Sequence, residues 1–382
     1  MRIKIRVDGN STLIGTVVPV GSRNEPDTIK GISHFLEHML FKGTKNRNMT
    51  EIKKAVDQHG ATFNAWTSEE HTAFYVIIDN EHIDIGRNVI DDMVNNSIFP
   101  SEELEKEKQV VLQELEMYHD NPQANVFEVA QSQIIQHGSG LQIPIIGTRE
   151  SVTNIDRNTL VNHYNTNYKN QLKIDVGGGV LEERNKIEFL DRKFEQEKKS
   201  YSTTDYLETR TGINQANMTV AGLFHVNNIR EEMSLDIFSA VMNGFCGRFF
   251  EVIREQHNLV YSTLFYNQKH SCGTVQYWGY AGLLPNKIQF ARDLMLEQLT
   301  RKITQEEFVY AKGKMLGQHK LNLDNKSHIA KILINCALDL SNYNDYLEGY
   351  EDNLNSVTLE EVNAIAQKAN FESSKLIAIV PK

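Results

Sequence analysis

The stretch "GISHFLEHMLFKGT", residues 31–44, decides how this chain is read. Large apolar residues dominate it, and His34, Glu37 and His38 are set among them. Four residues apart on a helix, His34 and His38 stack on one face, a turn from each other. Two imidazoles so placed can share one tetrahedral metal ion. Glu37, three residues after His34, falls on the same side. The order H-x-x-E-H inverts the commoner H-E-x-x-H zinc-protease pattern. Its chemistry needs a carboxylate beside the metal but not on it, able to take a proton from an activated water and pass it to a leaving amine. The competing reading is a core helix whose two histidines are satisfied by backbone or carboxylate partners.

A catalytic zinc takes three protein ligands and leaves a fourth position open. The helical stretch "SEELEKEKQVVLQELEMYHD", residues 101–120, offers candidates. Leu104, Val111, Leu115 and Tyr118 share one face at helical spacing. Glu107 and Glu114, two turns apart, fall at the edge of that stripe, whereas Glu105, Lys106, Gln109 and Glu116 fall on the solvated side. A carboxylate at the rim of a buried face is costly unless it is paired or binds metal. One of Glu107 and Glu114 is therefore read as a ligand and the other as its support. Ion pairs with lysines at the helix edge are the alternative.

The surroundings of these helices set the fold class. "IKIRV" and "TLIGTVVPV" read as strands. "MTEIKKAVDQHG" reads as a helix with Thr50 as its N-cap and Gly60 as its stop. "ATFNAWTSEEHTAFYVIID" reads as two strands broken near Ser68 to Glu70. Helices fill about 82–168, and "NQLKIDVGGGV" closes with a strand. The order then repeats, and "SVTNIDRNTLVNHYNTNYKNQLKIDV" from Ser151 is matched by "SVTLEEVNAIAQKANFESSKLIAIV" from Ser356. The expectation is an α+β fold of two similar halves, each a mostly antiparallel sheet covered by helices. The first half is 1–195, a polar linker 196–212, and the second half 213–382.

The chain has 382 residues and a formal charge of −10. Without a basic patch, nucleic acid is not expected as a partner. No apolar run is long enough to span a membrane, and "MRIKIRVDGN" lacks an apolar signal core. A cytoplasmic location is expected. Cys246, Cys272 and Cys336 show no CxxC pairing, so plain buried thiols are expected rather than a disulfide or thiolate site.

These residues together resemble the pitrilysin/insulinase-type metallopeptidases, the inverted-motif zinc family that includes mitochondrial processing peptidase and bacterial processing peptidases. "GSRNEPDTIKGISHFLEHMLFKGT" is similar to the family's first signature, and Glu114 in "VVLQE" stands where its third ligand is expected. The resemblance implies zinc on His34, His38 and Glu114, with Glu37 as general base and Glu107 as an additional acid near the metal. "GATFNAWTSEEHTAFYV" resembles the family's substrate strand, which implies that Asn64 and Ala65 lie against a peptide added to a sheet edge. "CGRFFEVIREQHNLVYS" resembles the segment that supplies Arg254 and Tyr261 to the substrate backbone. Asn258 stands where glycine is usual there, and asparagine tolerates the left-handed conformation such a turn needs. No long glycine-rich loop like that of the non-catalytic processing-peptidase subunit is present.

The function implied is that of a zinc endopeptidase acting on short or unfolded peptides in an enclosed chamber, with precursor processing one use. A chain of two halves is expected to form a homodimer with composite active sites. The alternatives are a non-catalytic structural or regulatory subunit of the same fold, or the catalytic subunit of a heterodimer.

Overall fold

A computed structural model describes residues 2–183, 194–200, 204–339 and 341–382, with Tyr261 described by its backbone alone. The first half begins with strands β1 (Arg2–Arg6) and β2 (Ser11–Val18), then helices α1 (Ile32–Leu40) and α2 (Met49–Asp57). A hairpin of β3 (Thr62–Thr67) and β4 (Thr72–Asp79) leads into α3 (Ile83–Asn96), α4 (Ser101–Asp120), α5 (Pro122–Ile134), α6 (Arg149–Asn154) and α7 (Arg157–Asn167), and β5 (Leu172–Gly177) closes it. The second half repeats this order: β6 (Tyr206–Arg210), β7 (Ala216–His225), α8 (Ile229–Met242), a π-helical stretch (Phe249–Gln256), β8 (Val260–Lys269) and β9 (Thr274–Leu283). It ends with α9 (Ile288–Thr300), α10 (Gln305–Asn322), α11 (Lys326–Asp339), α12 (Tyr350–Ser356), α13 (Leu359–Ala369) and β10 (Lys375–Pro381).

Each half forms a five-stranded sheet, in the orders β1-β5-β2-β4-β3 and β6-β10-β7-β9-β8. The α+β class holds, with one qualification. The outermost pairs β1–β5 and β6–β10 are parallel and the others antiparallel. A parallel pair needs a long crossover, and here nearly a whole half lies between its two strands.

One face of the first sheet carries the core. Val18, Phe74, Val76 and Ile78 pack there with Phe35, Leu36 and Met39 of α1 and Val111 of α4. The second core is built alike from Phe238 and Met242 of α8 with Phe249, Phe265 and Phe371.

The two compact units draw on non-contiguous chain. Tyr118–Gln142, which contains α5, joins the unit of the second sheet, and Asn322–Tyr343, which contains α11, joins that of the first. Val126, Ala130 and Ile134 of α5 are buried against Leu223, Trp278 and Ile379. An amphipathic pattern marks a helix as covering something without saying what, so the division at 1–195 and 213–382 does not convey this exchange.

Three further expectations differ from the structure. The stretch 196–212 contains β6, and residues 201–203 of it lie outside the described residues. Polar β6 is possible because it is an edge strand, whose alternate residues Leu207 and Thr209 face solvent. The N-cap of α2 is Asn48, whose side chain accepts from Glu51 N while Glu51 returns a bond to Asn48 N. This capping box starts the helix before Thr50. Of the cysteines, only Cys336 is buried; Cys246 is exposed and Cys272 intermediate.

The loop before α1 is fastened to the β3–β4 turn. Ser22 N and Arg23 N donate to the carbonyls of Ser68 and Glu69 at 3.2 and 2.8 Å, and Arg23 pairs with Glu70 at 2.6 Å with side chains only 4% and 8% exposed. Breaking a buried pair strands a charge, so Arg23→Met is expected to lower the unfolding free energy by about 3–5 kcal/mol in urea titrations. The double variant Arg23→Met/Glu70→Leu should recover most of that loss.

Candidate metal centre

Helix α1 starts at Gly31, whose φ of +89° is the left-handed conformation. A Cβ there would lie 2.4 Å from the Ile146 carbonyl oxygen. Glu25 caps this start, accepting from Gly31 N and Ser33 N at 2.7 Å each. An acid at a helix N-terminus is favoured by the exposed N–H groups and the helix dipole. With Phe35, Leu36 and Met39 buried, His34, Glu37 and His38 project from the other side of the helix, each partly exposed.

Helix α4 brings Glu114 to them. Glu114 Oε2 lies 3.7 Å from His34 Nε2 and 3.5 Å from His38 Nε2. One ligand atom from each of the three lies within 4.8 Å of the others, and this is the one such group of histidine, cysteine and acid side chains among the described residues. A tetrahedral zinc with bonds of about 2.0–2.1 Å spaces its ligand atoms about 3.4 Å apart. The donor set and its spacing therefore fit a zinc ion.

Glu107, two turns before Glu114, faces the opposite ring nitrogen. Its Oε2 is 3.1 Å from His38 Nδ1 and its Oε1 is 2.5 Å from Lys42 Nζ. A carboxylate on Nδ1 holds that proton and leaves Nε2 as the free lone pair. His34 Nδ1 is buried without a hydrogen-bond partner among the described residues, so packing orients that ring. Glu37 Oε2 accepts from Thr67 Oγ1 at 2.6 Å.

The surroundings act differently on each of these groups. Burial, helped by the nearby His38, pushes His34 down to about 4 against the pull of Glu114, so its ring is neutral at pH 7. Burial also lowers His38, but the Glu114 and Glu107 carboxylates outweigh it and hold the group above its ordinary value. The His38 contact holds Glu114 below the usual carboxylate range against burial. Burial raises Glu37, opposed by the Thr67 bond, as suits a group that must pick up a proton.

Asn64 and Ala65 lie on β3, at the edge of the first sheet, with Asn64 exposed and its Oδ1 accepting from Ala65 N at 2.8 Å. In the second unit Arg254 sits on the π-helical stretch, 4.5 Å over the Phe250 ring and 3.7 Å from Glu255. Such wide turns are frequent at functional sites. Asn258 has φ +47°, the left-handed conformation expected of it. Tyr261 lies in β8, and its side chain is outside the described residues. Setting Phe35 and Met39 against Phe238 and Met242 places Ile237, Ala240 and Val241 of α8 where α1 carries its donors, so that position is apolar in the second half.

The sequence is similar to proteins named as zinc proteases. YmxG of Bacillus subtilis (strain 168), named an uncharacterised zinc protease, is 30% identical over 99% of this chain and 96% of its own length. The profile described as Insulinase (Peptidase family M16) matches residues 6–149. The chain belongs to peptidase family M16. The matched part of this M16 chain holds all five site residues of α1 and α4, His34, Glu37, His38, Glu107 and Glu114. Mitochondrial-processing peptidase subunit beta of Caenorhabditis elegans is 30% identical over 52% of this chain and 43% of that protein. A protease from Helicobacter pylori has the same fold, with TM-score 0.88 and 18% identity over 100% of this chain and 96% of that one. So does an M16 inactive domain from Pseudomonas fluorescens, with TM-score 0.85 and 14% identity over the same shares. The M16 fold is thus compatible with inactivity, and the donor set must carry the functional reading.

Thr67, Lys42 and Glu25 are not among the residues expected from sequence. Lys42, four after His38, sits at a spacing that could have pointed to it. Thr67 and Glu25 make their contacts across 30 residues and across a loop, where no periodicity reports.

Close to the site, His71 Nε2 accepts from Trp66 Nε1 at 3.0 Å and its Nδ1 faces Ser68 Oγ at 2.8 Å. Burial pushes His71 down to about 4 from an ordinary 6.5. The folded state thus binds this proton less readily than the unfolded chain. The stability contributed is fully present above about pH 6.5 and is lost as pH falls toward 4. Between pH 7 and pH 4, wild type should lose up to about 3 kcal/mol more than His71→Gln in denaturant titrations.

Proposed function

We propose that this chain is a zinc-dependent endopeptidase that hydrolyses short or unfolded peptides in an enclosed chamber, precursor processing among its uses. The observation that carries the reading is the convergence of His34 Nε2, His38 Nε2 and Glu114 Oε2, with Glu37 on the same helix face. Zinc held by those three side chains would supply Lewis acidity, polarising a scissile carbonyl and making a neighbouring water more acidic. The remaining steps belong to the chain. Glu37 takes the proton of the attacking water and then delivers it to the departing amine. Glu107 fixes the His38 tautomer. The open edge of β3, at Asn64 and Ala65, pairs the peptide as an added strand, which reads backbone more than side chain. Arg254 and Tyr261 hold substrate carbonyls, as a cation and a phenol can.

The net charge of −10 favours basic peptides. Because one chain carries both the zinc set and Arg254 with Tyr261, we take the working form to be a homodimer, each site combining the zinc set of one copy with the Arg/Tyr pair of the other. The Caenorhabditis elegans relative is by name one subunit of a processing peptidase, and pairing with a different chain is the alternative.

Elemental analysis should find one zinc per chain in wild type and Glu37→Gln, and none after chelation. Against a peptide mixture read by mass spectrometry, Glu37→Gln should lose about 100-fold or more of the wild-type rate. A zinc-loaded wild type that cleaves nothing would refute the peptidase reading. A mixed dimer of Glu37→Gln with Arg254→Ala should keep one intact site and roughly half the wild-type rate, while each pure variant is inactive. A mixed dimer as inactive as the pure variants would rule out composite sites.

A further inference from the structure

The end of β3 and the start of α1 are joined in a closed circuit of polar contacts. Thr67, the last residue of β3, donates its hydroxyl to Glu37 Oε2 at 2.6 Å. The next residues, Ser68 and Glu69, accept from Ser22 N and Arg23 N. From the same loop Glu25 accepts from Gly31 N and Ser33 N, at the first turn of the helix that carries Glu37. The pleat explains why Thr67 reaches α1. Side chains alternate along a strand, and Ala65 and Phe63, two and four residues back, pack on the core that includes α1. Asn64 has the opposite parity, and β3 is an edge strand. Glu37 Oε1 has no hydrogen bond among the described residues.

We propose that Thr67 is a positioning residue: its hydroxyl locks the Glu37 carboxylate to the strand that pairs the peptide, so that Oε1 is the oxygen presented to the attacking water. The inference rests on the peptidase reading above. The Thr67 O–H bond stays intact throughout. Its hydrogen bond occupies a lone pair of Oε2, the proton leaving water goes to Oε1, and the same proton leaves Oε1 for the amine. A threonine suits the task because its branched Cβ restricts χ1 and fits a strand. A group that only orients the base should influence the chemical step and not peptide binding.

The test uses full-length wild type, Thr67→Val, Thr67→Ala, Thr67→Ser and Glu37→Gln. Each is assayed for zinc content, thermal melting, and kcat and KM on one unstructured fluorogenic peptide. Thr67→Val replaces the hydroxyl by a methyl of similar size and should keep zinc, melting temperature and KM, with kcat lowered about 10–100-fold. Thr67→Ser should regain most of the rate, and Thr67→Ala, which keeps no hydroxyl, should match Thr67→Val even if one of the two folds poorly. The inference is overturned if kcat of Thr67→Val or Thr67→Ala stays within about twofold of wild type, if Thr67→Ser is as slow as Thr67→Val, or if the loss falls in KM or zinc content. Wild type no faster than Glu37→Gln, with zinc bound to both, would instead overturn the peptidase reading, and this inference with it.

Discussion

Helix α1 is held in one rotational setting by burial. Phe35, Leu36 and Met39 are fully buried in the core of the first sheet, and turning the helix by even one residue would bring one of them into water, at about 1.5–3 kcal/mol per side chain. At 3.6 residues per turn, that setting fixes the opposite side, from which His34, Glu37 and His38 emerge together. Glu25 and the left-handed Gly31 fix where the helix begins, and so its position along its own axis. Everything else at the site is arranged around this one placed helix.

The acid network then sorts two chemically identical side chains. Glu107 and Glu114 lie on the same rim of α4, yet one meets Nδ1 of His38 together with Lys42 Nζ, and the other meets the Nε2 atoms of both histidines. A lysine partner neutralises Glu107 and ties it down, whereas Glu114, with two neutral or partly protonated rings before it, keeps an oxygen available. The same helices in the second half, built on Phe238 and Met242, turn Ile237 and Val241 into their core. The second half thus repeats the frame with apolar residues where α1 carries its donors, which is why fold likeness, including likeness to an inactive domain, says little about chemistry.

Much of this was legible in the chain. The apolar periodicity around residue 35, the H-x-x-E-H order, and the rim position of Glu107 and Glu114 are local properties, written within single helices. The repeat of elements was legible for the same reason. Asn258 could be expected to adopt positive φ because that depends on its own side chain. Less legible was β6, whose polar sequence resembles a linker because an edge strand needs few apolar residues. The cap of α2 moved to Asn48 because a reciprocal bond with Glu51 outcompetes the threonine two residues on. The exchange of α5 and α11 between units was not legible, since an amphipathic face does not name the sheet it covers.

The amino-acid sequence by itself carried the resemblance to the family and the α+β repeat, and spacing within single helices grouped His34, Glu37 and His38 on one face and Glu107 with Glu114 on one rim, the resemblance implying which acid is the ligand. Only the tertiary structure decided which glutamate faces which ring nitrogen, that Thr67 holds the carboxylate of Glu37, and that Arg23 and Glu25 bind the strand turn and helix start into one frame. Those contacts join residues from separate elements, at distances of about 3 Å, and hydrogen bonding depends on distance and angle that no one-dimensional pattern contains.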